Sequence, residues 1–305
     1  MSLRALYDVP APAKLNLFLH VVGRREDGYH LLQSLFTLID WADRLHLERR
    51  EDGRLMRHDL GLALPAEDLC LRAARSLQAA SGCSFGADIH IDKKLPWGAG
   101  MGGGSSDAAS TLLALNRLWG LNWPRARLAE IGLALGADLP FFIGGRNAFV
   151  EGIGERLTPV LLPEAGYVVV KPPASIDTRA IFSHPALRRD SDPVILTGSL
   201  EDSANSGVAG RWCEQGFGRN DLQNPAEDRC PEVADAARWL QDRFGNSRMT
   251  GSGSAVFARV EVTSGSTAPP EAMPAQETLL KGLPAGWEGR HCRGLALHPL
   301  AGWAG

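Results

Sequence analysis

The stretch Leu95-Pro-Trp-Gly-Ala-Gly-Met-Gly-Gly-Gly-Ser-Ser-Asp-Ala-Ala-Ser110 places five glycines (98, 100, 102, 103 and 104) within seven residues. Residues without side chains let backbone N–H groups converge on an anion. A helical pattern follows at once: Ala108, Leu112, Leu115 and Trp119 share one face, Ser105 or Ser106 can cap the start, and Gly120 can end it. The unpaired N–H groups and positive dipole end of a helix favour phosphate. Hydroxyls from Ser105 and Ser106 add donors for a phosphate oxygen or a metal-bound water. A flexible linker would not run straight into a capped amphipathic helix, so the segment is a triphosphate cradle.

Other nucleotide loops are excluded. No Gly-Lys-Ser/Thr follows the glycines, so this is not a Walker A loop. Gly98, Gly100 and Gly103 satisfy GxGxxG literally, but a dinucleotide site needs an acidic residue about 20 positions on. No Asp or Glu lies between Asp107 and Glu130. Neither HRD nor DFG occurs, which removes the protein kinases.

Outward from the loop, Lys14–Val22 alternates as a strand, with Leu15, Leu17, Leu19 and Val21 on one face. The turn Arg24-Arg-Glu-Asp-Gly28 ends it. Leu45–Arg50, Ala87–Ile91, Tyr167–Lys171 and Ala255–Val262 are further strands. Helices fall over Glu67–Ala80, Pro124–Leu135 and Glu232–Phe244, and a soft boundary lies near Val150–Leu162. Strands mixed with separated helices indicate α+β architecture. The 305 residues, 44% hydrophobic and 22% charged, suffice for about two domains with a sizeable core. A net charge of −3 without long charge blocks argues against nucleic acid as a partner. No apolar run approaches a membrane span, and no signal-peptide core opens the chain. Five widely spaced cysteines without a CxxC pair suggest a reduced, cytoplasmic protein with neither a disulfide framework nor a structural zinc site.

PxGAGMGGGSSDAA resembles the phosphate loop of the GHMP small-molecule kinases. So do the blocks Pro12–Phe36 (PAKLNLFLHVVGRREDGYHLLQSLF), Leu135–Gly145 (LGADLPFFIGG), Glu151–Pro159 (EGIGERLTP) and Met249–Ala258 (MTGSGSAVFA), which follow the family's order and span most of the chain. The triple glycine before Ser-Ser is similar to the branch that acts on a cytidine diphosphate conjugate of methylerythritol in non-mevalonate isoprenoid biosynthesis. The resemblance implies a two-domain GHMP fold with the active site in the interdomain cleft. Residues 1–155 would form an N-terminal ATP-binding domain and 156–305 a C-terminal substrate-binding domain. It implies ATP as co-substrate accompanied by Mg2+, with the nucleotide on Pro96, Trp97, Gly98, Ala99, Gly100, Met101, Gly102, Gly103, Gly104, Ser105 and Ser106. The small-molecule acceptor would be phosphorylated on its 2-hydroxyl, and no protein partner is implied.

Transfer to an alcohol needs a group to take a proton and cations to spread charge. By position alone Asp138, in Gly136-Ala-Asp-Leu-Pro140, is either an aimed carboxylate or a helix N-cap. The resemblance implies that it is the base. Lys14 opens the first strand, with Asn16 on the same face. A strand-edge lysine is ordinarily solvated. The resemblance places Lys14 beside the base and the accepting hydroxyl, and Asn16 on the substrate. Tyr29 and His30 are ordinary turn residues by composition. By resemblance Tyr29 stacks on cytosine, His30 bonds its polar edge, Phe182 supplies a second face and Thr178 lies nearer the ribose and diphosphate. Phe182 also fits a core position. Gly251-Ser-Gly-Ser254 reads as a tight turn, or by resemblance as a second glycine turn bordering the site. Arg219-Asn-Asp-Leu222 matches the family without a physical role.

The chain departs from the family at Met101, where Leu is common, and at Asp68, where Asn is usual and the adenine edge would be affected. Thr263–Ala275 matches no family block and reads as a solvated loop. The alternatives are another GHMP kinase acting on a sugar, homoserine or mevalonate, and a nucleotide-binding module without catalysis.

Overall fold

The computed structural model describes residues 3–61, 63–65, 68–195, 218–260 and 276–305. Thr263–Ala275 therefore lies outside the described residues. The first strand is far longer than its alternating segment: β1 covers Ala5–Arg24 and pairs antiparallel with β2, His30–Arg50, across the Arg24–Gly28 turn. Both faces of β1 are buried, so Phe18 at 0% exposed complements the predicted Leu15, Leu17, Leu19 and Val21 face. A strand covered on both sides loses the polar/apolar alternation that marks it in sequence.

The free edge of β2 is shared out along its length. Residues 32–36 pair with β5 (Ala148–Gly152), 38–39 with a strand near the end of the sequence (Glu288–Leu295), and 44–50 with β4 (Gly86–Asp92). β3 (Leu55–Asp59) adds to β4, and β6 (Arg156–Pro159) adds to β5. The late strand, β10, also pairs over six residues with β7 (Gly166–Lys171). β9 (Val256–Val260) and the short β8 (Arg248–Met249) complete a sheet of ten strands among the described residues.

Helices α1 (Leu69–Ser81), α2 (Gly103–Leu118), α3 (Arg125–Leu135) and α4 (Leu139–Gly144) pack on the first part of the sheet, α2 burying Leu112, Leu113 and Leu115 completely. The helix Pro231–Phe244 covers β7 and β9 through Val233, Ala236 and Leu240. Asp68 is the N-cap of α1. Its carboxylate accepts from Leu71 N at 2.9 Å and pairs with Arg57 at 2.8 Å, so it is engaged in holding the helix start. Met101 is buried, as a volume-conserving replacement for Leu allows. No helix among the described residues is long and apolar enough to cross a membrane.

Candidate active site

α2 starts earlier than the sequence suggests. Its N-cap is Gly102, not Ser105 or Ser106, and Gly103 and Gly104 form its first turn. Ser106 is fully buried and donates its hydroxyl to Pro12 O at 2.7 Å. Ser105 remains part-exposed, as does Gly103. The loop before the helix is fixed through its carbonyls: Gly98 O accepts from Ser254 N, Ala99 O from Ala255 N, and Met101 O from Lys14 N. Ala99 is buried while Trp97 at the loop tip is 65% exposed. The first N–H groups of α2 have no intrahelical partners. A Cβ on Gly104 would meet nothing closer than 3.9 Å, so the surface above the helix start is open.

The second glycine turn is the wall behind the first. A Cβ on Gly100 would lie 2.3 Å from Thr250 O, and one on Gly251 would lie 2.6 Å from Gly100 O. Backbone meets backbone at both points, which only glycine permits. Asn220 holds the turn from below, donating to Met249 O and Gly251 O at 2.8 Å each. Asp221 accepts from Val21 N and Ser191 Oγ. The Arg219–Leu222 segment thereby acquires a role: it ties the glycine turn to β1.

Register shifts flank Lys14–Asn16 on β1, between Pro12 and Lys14 and between Asn16 and Leu19. Such bulges re-aim side chains. Lys14 is not solvated but 4% exposed, its Nζ 3.7 Å from Asp138 Oδ2, 2.6 Å from Asn16 Oδ1 and 4.2 Å from the centre of the Phe36 ring. Burial lowers its pKa, and Asp138 opposes that shift. Asn16 is 1% exposed, with Oδ1 accepting from Lys14 and Nδ2 donating to Ser34 at 2.9 Å. Both ends of the amide are thus engaged within the protein. Asp138 occupies the N-cap position of α4 without making a side-chain cap bond. Its carboxylate, 31% exposed, is left to Lys14 and the cleft.

A cavity of 780 Å³ brings together Tyr29, His30, Thr178 and Phe182, with Arg24, Ile153 and Arg189 in its wall. Tyr29 is 60% exposed at the β1–β2 turn. α5 (Thr178–Phe182), capped by Asp177, carries the other side. Phe182 is half-buried with its ring stacked on His30, centroids 5.0 Å apart. Thr178 Oγ1 is 2.7 Å from Ser252 Oγ, linking the cavity to the second glycine turn. A continuous line of contacts therefore runs from the cavity through Ser252, the Gly251–Gly100 contact and Met101 to Lys14 and Asp138.

Sequence reasoning missed a buried cluster under the loop. Lys93 Nζ bonds Asp43 and, at 2.7 Å, Asp107, while Asp43 Oδ1 also accepts from Lys94 N and Leu95 N. Burial drives the Asp107 carboxyl up to about 8, opposed by Lys93 and reinforced by Asp43. Asp107 stands in the quoted loop but reads there as an ordinary first-turn acid; its partners are distant in sequence. Arg189 was also missed, since an arginine in Leu187-Arg-Arg-Asp190 gives no signal of facing His30.

A model of the GHMP kinase N-terminal domain matches residues 68–146, and one of the C-terminal domain matches 209–268. A relative from Methylibium petroleiphilum, a 4-diphosphocytidyl-2-C-methyl-D-erythritol kinase, is 60% identical over the full length of both chains. The chain belongs to this kinase family. A crystal structure of 4-(cytidine 5'-diphospho)-2C-methyl-D-erythritol kinase is similar at a TM-score of 0.73 and 36% identity, covering 94% of this chain and 98% of that one. Homoserine kinase from Cytophaga hutchinsonii shares the fold at a TM-score of 0.68 with 15% identity, covering 97% and 95%. The GHMP architecture and its ATP-dependent kinase class are therefore those of the family, while the role of each residue rests on the geometry above.

Proposed function

We propose that the chain transfers the γ-phosphoryl group of ATP to the 2-hydroxyl of 4-diphosphocytidyl-2-C-methyl-D-erythritol, giving the 2-phosphate and ADP. The observation that carries this is the chain of contacts that joins an aromatic-walled cavity, through Ser252 and the Gly251–Gly100 approach, to buried Lys14 and its partner Asp138. The name of the 60% identical relative supports the same substrate. The acceptor hydroxyl gives its proton to Asp138, its oxygen bonds the γ-phosphorus, and the bond to the ADP oxygen breaks. Lys14, 3.7 Å from Asp138, offsets charge on the acceptor oxygen. Asn16 holds the Lys14 ammonium in place.

Mg2+ would enter with ATP. Among the described residues no group of three His, Cys, Asp or Glu is arranged for a metal ion. Phosphate oxygens, water and the Ser105 hydroxyl are the ligands this donor set offers, and the ion would neutralise developing phosphate charge. Residues 1–155 would carry the ATP lobe and 156–305 the second lobe, with Tyr29 and His30 of the first and Thr178 and Phe182 of the second both facing the cytidine. The described cysteines are free, which suits a reduced cytoplasmic setting.

The test is ATP consumption by the purified protein with the cytidine substrate, with homoserine, with mevalonate and with no acceptor. Turnover confined to the cytidine substrate is expected. Equal ATP hydrolysis in all four, or turnover with another acceptor only, would sink the proposal.

A further inference from the structure

A neutral imidazole has one nitrogen that donates and one that accepts. At His30 the choice is made by Arg189, whose Nε–H donates to His30 Nε2 at 3.2 Å. A guanidinium has only donors and keeps its charge, so Nε2 must be the accepting nitrogen. Arg189 is itself held in place. Its other nitrogens donate to Leu187 O at 3.0 Å, Phe182 O at 3.1 Å and His184 O at 3.0 Å. The Phe182 ring, inclined by 28° to the imidazole, supports the plane of His30. Burial lowers the pKa of His30, and the charges of Arg189 and Arg24 lower it further, which keeps the ring neutral.

We propose that Arg189 is a specificity-determining positioning residue: by occupying Nε2 it locks His30 as the Nδ1–H tautomer, so that the ring can offer a ligand only a donor. The inference rests on the proposal that this cavity takes a cytosine base. Cytosine presents a bare N3, which accepts a hydrogen bond, whereas uracil carries a hydrogen on N3. A locked donor suits the first and opposes the second. A histidine free to exchange tautomers would present an acceptor to uracil and lose that discrimination. The remaining charged groups of the cavity wall, Arg24, Asp27 and Arg179, are not bonded to the imidazole nitrogens.

Nitrogen-15 NMR of the histidine side chains in the free, intact protein reads the tautomer without any variant or ligand. A protonated Nδ1 and bare Nε2 at His30, persisting on acidification past the pKa of an ordinary histidine, are expected. Arg189→Met should then give a mixture of tautomers. It should also lower the ratio of kcat/KM for the cytidine over the uridine form of the substrate by about tenfold or more. The change should lie in the KM of the acceptor, with Arg189→Lys, which retains a donor, recovering part of the ratio. A protonated Nε2 in the wild-type protein, or wild-type discrimination in a folded Arg189→Met, would overturn the inference. If the tautomer is as stated but CMP leaves the His30 signals unmoved, the cytidine assignment fails and the specificity role falls with it, while the lock itself stands.

Discussion

Gly100→Ala tests whether the two glycine turns are mutually dependent. Gly100 has φ of +72°, a region costing an L-residue ~1–2 kcal/mol. The added Cβ would stand 2.3 Å from Thr250 O, 3.0 Å from Gly253 N and 3.1 Å from Gly253 O, all backbone atoms that cannot rotate aside. Overpacking of this kind costs ~1–3 kcal/mol. The total of about 2–5 kcal/mol, divided by ~2.1 cal/mol/K of unfolding entropy per residue over 305 residues, lowers Tm by about 3–8 °C. Relief requires the loop to retreat by about 1 Å, carrying its N–H groups away from phosphate and raising the KM for ATP roughly tenfold. Gly104→Ala, where nothing lies within 3.9 Å, is the packing control and should keep the wild-type Tm. Differential scanning calorimetry with ATP kinetics provides the measurement. A Gly100→Ala protein melting within about 1 °C of wild type would refute the argument, because the strain would then not exist.

Asp138→Asn should reduce turnover by ~10²–10⁴ with ATP binding retained, measured by steady-state kinetics and calorimetry; since Asp138 makes no side-chain cap bond, Tm should barely move. Tyr29→Ala should raise the acceptor KM roughly ten- to a hundredfold, as removal of a base-stacking ring does, and CMP should inhibit competitively against the acceptor and not against ATP. Asp107 takes up a proton on folding, because its carboxyl rises to about 8 in the folded protein. Its contribution to stability is therefore present below the ordinary carboxylate range and lost as pH climbs through about 8. Asp107→Asn mimics the protonated acid and should flatten Tm against pH between about 6 and 8, an effect visible in a thermal-shift series.

Local signals carried the helices and the phosphate loop well. The helices predicted at Pro124–Leu135 and Glu232–Phe244 differ from the observed Arg125–Leu135 and Pro231–Phe244 by a residue, because their apolar faces and terminal glycines are short-range features. Strand lengths were poorly legible. β1 begins nine residues before Lys14, at Ala5, through Pro10 and Pro12, whose missing donors argue against a strand until the observed register accommodates them. At the site, the residues that stood inside motifs were legible, whereas those defined by a partner were not. The capping serines were misjudged because glycine in the first turn scores against a helix that tertiary packing nonetheless imposes. Whether Lys14 was solvated or buried depended on Phe36 and Asp138, both distant from it in sequence.

The insertion of β10 between β2 and β7 bears on how the chain is made. Until Glu288–Leu295 leaves the ribosome, the β2 edge at Leu38–Ile39 and the whole of β7 on that side are open sheet edges in the nascent protein. Such edges template pairing with other chains. Synthesis at ~5–20 residues per second leaves roughly 6–26 s between the emergence of β7 and that of β10. This interval is long beside the microseconds in which a hairpin forms. Early loss of nascent chains should therefore concentrate on species that carry β7 but lack β10, and a chaperone that shields sheet edges would act in that window.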